Sequence, residues 1–145
     1  MTGLEVDDVE HPQVANLGDF AEQVGLAFQL RDDVLGLYGD QDKLGKPIGS
    51  DVCQGKPTML YAEALERTTT GNHQFLADTL GRQDLSAADL NRVRELVRSS
   101  GACDAIQARI DTGIAEAGQK LLQTPQSDAR DLLHAWAGYA GTRDR

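Results

Sequence analysis

Apolar residues recur at three- and four-residue steps through most of the chain, and this spacing predicts helices. Val14, Leu17, Ala21, Val24, Phe28 and Leu35 form one apolar face of a long helix running from about Val14 to Tyr38. A second stripe shares the same helix. Gly18, Gly25, Gln29, Asp32 and Gly36 step by seven, four, three and four, so they stand on one face. Glycine in a helix interior costs about 0.8–1.0 kcal/mol relative to alanine. That face is therefore expected to meet something at close range, either a neighbouring helix or a ligand.

The pattern breaks at 39–57, GDQDKLGKPIGSDVCQGKP, where four glycines and two prolines favour turns. Leu44, Ile48 and Val52 can anchor this stretch, which predicts an ordered loop. Helical spacing returns over Thr58–Thr69 and, more weakly, Gln74–Leu80. Ser86 followed by Asp89 resembles a capping box, and Leu90, Val93, Leu96 and Val97 supply the next apolar face. Gly101 ends that helix. Ile106, Ile110, Ile114, Ala117 and Leu121 line another helix over Ala102–Leu122, and Pro125 breaks it. Ser127 caps a last helix, with Leu132, Leu133, Trp136 and Tyr139 expected inward. No strand and no repeat emerges, and the fold class is all-α. Residues 1–12 read as a loose lead-in and 13–145 as a single helical domain.

Composition sharpens this picture. Only 5% of residues are aromatic, which favours helices over a β-sandwich. The net charge of −9 repels phosphate backbones, so no nucleic-acid partner is expected. Any anionic ligand then needs local lysines or a bridging cation. No run of 18 apolar residues occurs, so no transmembrane segment is expected. The opening MTGLEVDDVEHP lacks the basic and apolar parts of a signal peptide. Asp7 and Asp8 are read as a solvated pair. Cys53 and Cys103 lack metal-ligand spacing, as do His11, His73 and His134. The two thiols suit a cytoplasmic setting.

The candidate chemistry lies between Gly25 and Thr58. Asp32 and Asp33 are adjacent acids near a helix carboxyl end, where the dipole disfavours negative charge by roughly 0.3–1 kcal/mol. A hard cation such as Mg²⁺ relieves that repulsion, and it favours one or two carboxylates plus water and phosphate oxygens. Lys43, Lys46 and Lys56 in the following loop can hold phosphate as point charges. The competing reading is ordinary contact of the two acids with Arg31 or Lys43. The glycine stripe and the Lys/Gly loop favour an anion held through both a metal and ammonium groups.

The elements FQLRDDVLG and GKPIGSDVCQGKPT together resemble the second aspartate-rich region of trans-isoprenyl diphosphate synthases, written FQxxDD and then GKxxGxD with a further GK before Thr. SSGACDAIQARI and LLHAWAGYAGTRDR resemble later helices of the same family. The likeness runs from about Leu17 to the end and corresponds to the family's carboxyl-terminal half. It implies half of an isoprenoid-synthase-type helix bundle. It also implies that Gln29 lies near an allylic prenyl diphosphate, that Asp32 and Asp33 hold Mg²⁺ against that diphosphate, and that Lys46 and Lys56 grip it. Asp51 has a supporting role.

Two departures matter. Position 36 is glycine where many members carry a third acid, and the family's first DDxxD motif has no counterpart here. Residues near that first motif largely govern product length in the family. The expected activity is therefore isoprenoid chain elongation with a partner chain, and no prenyl transfer by this chain alone. The alternatives are a regulatory or oligomerisation subunit of a complete synthase, and a degenerate relic. A bundle cut in half exposes apolar surface, so a homo-oligomer or a complementary synthase chain is expected.

Overall fold

A computed structural model describes residues 12–40 and 47–142. Among these residues the secondary structure is helical, without strands. The helices are α1 (Pro12–Tyr38), α2 (Ser50–Cys53), α3 (Met59–Arg67), α4 (Thr70–Thr79), α5 (Ala87–Ser99), α6 (Ala102–Leu122) and α7 (Asp128–Thr142). No described helix is long and apolar enough to cross a membrane.

Local chemistry explains most of the boundaries. The Thr58 hydroxyl accepts from the Tyr61 N–H at 3.2 Å, and the Ser86 hydroxyl from the Asp89 N–H at 3.0 Å, so both cap a helix start. The Ser127 hydroxyl accepts from the Arg130 N–H and caps α7. Gly101 takes φ +79 between α5 and α6, a conformation that costs a side-chain-bearing residue. The expected loop contains one helical turn, α2, pinned by buried Val52.

Helix α6 is the axis of the fold. It buries Ile106, Ile110, Gly113, Ala117 and Leu121, and α1 lies along it. Pairing of Arg31 with Gln107 and of Asp19 with Lys120 shows that the two run antiparallel. One core joins the later part of α1 to α3, α4, α5 and the start of α6. A second core joins Phe20 and Val24 of α1 to the end of α6 and to α7. The carboxyl end of α1 is fixed by Tyr38, whose hydroxyl donates to the Arg94 carbonyl at 2.7 Å. Arg94 Nε donates in return to the Leu37 carbonyl at 2.8 Å.

Three expectations change. On α1 the buried apolar residues are Phe20, Val24, Ala27, Leu30, Leu35 and Leu37, so Val24 and Leu35 of the expected face are buried while Ala21 is exposed and Phe28 only half-buried. Apolar residues stand on several sides of α1, so periodicity alone does not single out its seam. On α7, Leu132, Trp136 and Tyr139 face outward, at 72%, 47% and 57% exposure. The inward seam is Ala137, Ala140 and Gly141, because small residues let α7 approach closely; a Cβ at Gly141 would lie 3.1 Å from Ile114. The glycine stripe has no wall among the described residues over its first part, Gly18 to Gln29, whereas Gly36 at its end is buried. Gly18, Gly25 and Gln29 are exposed, and a Cβ at either glycine would meet nothing within 4 Å. Asp7, Asp8, His11, Lys43, Leu44 and Lys46 lie outside the described residues.

Candidate functional site

Asp33 sits where α1 meets the start of α3, and it is only 8% exposed. Its Oδ1 accepts from Gln29 Nε2 at 3.2 Å, one helical turn back. Its Oδ2 accepts from the Met59 backbone N–H at 3.1 Å. That N–H belongs to the first turn of α3, which has no helical partner to offer it. Burial raises the Asp33 carboxyl above its ordinary value of 3.8; the bonds from Gln29 and Met59, and the charge of Lys56, pull the other way. A carboxylate offers about four lone-pair sites, so two bonds leave Asp33 able to accept more.

The loop closes over the same point. The Gly49 N–H donates to the Gly36 carbonyl at 2.9 Å, which ties the loop to α1. Gly36, the position lacking the family's third acid, is buried at this junction. Lys56 Nζ reaches Asp51 at 2.9 Å and remains more than half exposed. An open cleft of about 390 Å³ brings together Gln29, Asp33, Asp51, Lys56, Thr58 and Met59. Of the four described residues read as holding a diphosphate or its metal, Gln29, Asp33 and Lys56 share one hollow and Asp32 does not.

Asp32 does not line that cleft. Successive helical residues turn by about 100°, so Asp32 stands half-buried beside Asp33 on the neighbouring side of α1, the side that also carries Gln29. Sequence reasoning also missed the Met59 backbone N–H and the Thr58 cap. A threonine directly after GKP and ahead of a helical run was the available signal.

The donor set is one of hard oxygens with a lysine, and this suits Mg²⁺ and phosphate. Among the described residues no three acid, histidine or cysteine side chains gather as a metal cluster. Mg²⁺ held by one or two carboxylates completes its shell with water and phosphate, so the residues fit a partial shell rather than a closed cage.

The chain matches the polyprenyl synthetase family over residues 2–97. It is 33% identical over 132 residues to a short chain isoprenyl diphosphate synthase of Methanothermobacter thermautotrophicus, covering 91% of this chain and 40% of that protein. It is 33% identical over 135 residues to heptaprenyl diphosphate synthase component 2 of Geobacillus stearothermophilus, covering 92% of this chain and 40% of that one. Its fold is similar to the crystal structure of geranylgeranyl pyrophosphate synthase from Corynebacterium glutamicum complexed with isoprenyl diphosphate and magnesium. The TM-score is 0.83 at 32% identity, over 90% of this chain and 38% of that one. The chain thus spans about 40% of the length of the curated relatives it matches.

Proposed function

The chain belongs to the polyprenyl synthetase family, and from that premise we propose that it supplies one half of a prenyl-transfer site, the half that holds the diphosphate of an allylic substrate. The observation that carries this reading is the shared cleft of Gln29, Asp33, Asp51 and Lys56 at the start of α3. Lys46 and Lys56 attract and grip the diphosphate. Gln29 keeps Asp33 oriented through its hydrogen bond. Asp32 and Asp33 would hold Mg²⁺, which supplies charge neutralisation on the departing diphosphate. Lysine beside the leaving group stabilises the charge that develops as the allylic carbon–oxygen bond breaks.

The rest of the site comes from a second chain, which carries the acids and the second-substrate groups that this one lacks. The similarity to a relative named as a component of heptaprenyl diphosphate synthase supports an arrangement of separate chains. The free thiols of Cys53 and Cys103 suit a reducing cytoplasm.

The test is complementation. The chain is mixed with a separate polypeptide carrying the part of the Corynebacterium glutamicum relative that it does not span. Incorporation of labelled isopentenyl diphosphate is then followed. The reading expects transfer by the mixture and by neither chain alone, lost on Asp32→Asn with Asp33→Asn. Transfer unaffected by the double substitution would contradict it.

A further inference from the structure

The antiparallel helices α1 and α6 leave a long hollow between them. One part of it, about 460 Å³, is lined by Leu26, Leu30, Met59 and Gly113 among others. Leu26 is 51% exposed and Met59 42%, large apolar side chains left uncovered among the described residues. A second hollow of about 370 Å³ continues it past Asp19 and Lys120, and Gln23 and Glu116 line both. From Leu30 to Asp19 the groove is roughly 17 Å long at 1.5 Å per residue, about three helical turns.

The shape and the charge of this groove select its occupant. Both walls are helices whose backbone groups are bonded internally, so they offer no edge to an extended strand. Two antiparallel helices with an apolar trough between them are instead the seat of a third helix. The rim is acidic. Asp19, Glu22 and Glu116 stand along it. Lys120 is taken by Asp19 at 2.6 Å, and Arg109 by buried Glu63 at 3.2 Å. Glu22 and Glu116 have no ion pair among the described residues. Their charge calls for cations on the occupant.

We propose that the groove between α1 and α6 is a docking site for an amphipathic helix with a basic flank, carried by a second polypeptide chain. Met59 lines both this groove and the Gln29–Asp33–Lys56 cleft, so a helix seated here abuts the diphosphate half-site. The identity of the second chain as the complementing synthase chain rests on the function proposed above; the groove and its charge do not.

The test uses the full chain and two fluorescein-labelled synthetic helical peptides of eighteen residues. Each has leucines at i, i+4, i+7 and i+11; one is flanked by lysines and the other by glutamates. Binding is read by anisotropy without Mg²⁺ or diphosphate, so its failure leaves the diphosphate reading untouched, and the converse holds. The lysine peptide is expected to bind and the glutamate peptide not. Glu22→Lys with Glu116→Lys weakens binding by about tenfold or more, while the equal charge change Asp84→Lys with Glu95→Lys, at residues that line neither hollow, costs less than about threefold. Leu26→Asp, at an exposed position, also weakens binding by about tenfold with helicity by circular dichroism unchanged. Hydrogen exchange should slow in α1 and α6. Equal weakening by both charge pairs, binding of both peptides alike, or displacement of the peptide by farnesyl diphosphate would overturn the proposal. So would a dimer of this chain that already occupies the groove, seen as a mass in sedimentation that Leu26→Asp halves.

Discussion

A carboxylate as secluded as Asp33 resists ionisation, and the fold tolerates it by supplying a side-chain amide and a helix-start N–H. Because burial places its native value above 3.8, the folded state binds a proton more tightly than the unfolded chain. Its stabilising contribution is then full at pH below the ordinary value and is lost as pH rises through the raised one. Asp33→Asn removes this penalty. With the Gln29 amide turned over, asparagine keeps both hydrogen bonds. The stability of Asp33→Asn relative to wild type should therefore rise between pH 4 and pH 7 in urea titrations, while any affinity for Mg²⁺-diphosphate falls. A constant difference across that range would contradict the burial account. Lys56, exposed and paired with Asp51, is a different case. Lys56→Ala should change stability by less than about 0.5 kcal/mol, yet weaken diphosphate binding by about tenfold, as loss of one charged hydrogen bond does. The family resemblance implied one site for Gln29, Asp33 and Lys56, and the three line one cleft. It did not show that Asp33 is the buried member of its pair, since only the position of α3 decides which acid faces inward.

Helix boundaries followed readily from caps and glycines, because those signals are local. Gly49 and Gly101 both hold a left-handed backbone at φ +79, but only at Gly49 would a Cβ crowd a neighbour, 2.5 Å from Leu90 Cδ1. Gly101→Ala should cost about 1 kcal/mol, and Gly49→Ala about 2–3 kcal/mol, by chemical denaturation. Helix faces were less legible. Leucine and tryptophan every third or fourth residue on α7 looked like a core face, yet alanine and glycine form the seam. Close approach of two helices rewards small residues, which a hydrophobicity pattern undervalues. Trp136→Ala should accordingly cost less than about 1 kcal/mol, whereas Ile110→Ala, fully buried on α6, should cost about 2–5 kcal/mol. A large loss at Trp136 in the isolated chain would mean that this face is covered by self-association.

At the scale of the molecule, an acidic chain presents one cleft with a lysine, an amide and buried acid oxygens, beside an uncovered apolar groove. The all-α class and the family were readable from motif and spacing. The exposed glycines Gly18 and Gly25 of α1 were readable only as a demand for a neighbour, and no described residue meets them. The central claim is that this chain alone keeps a working half of a diphosphate site. Calorimetric titration with an allylic diphosphate, with and without Mg²⁺, tests it most directly, using the Asp32→Asn, Asp33→Asn double variant as comparison. The account predicts binding that requires Mg²⁺ and disappears in the double variant. Absence of binding in every condition, or binding indifferent to Mg²⁺ and to both aspartates, would contradict it.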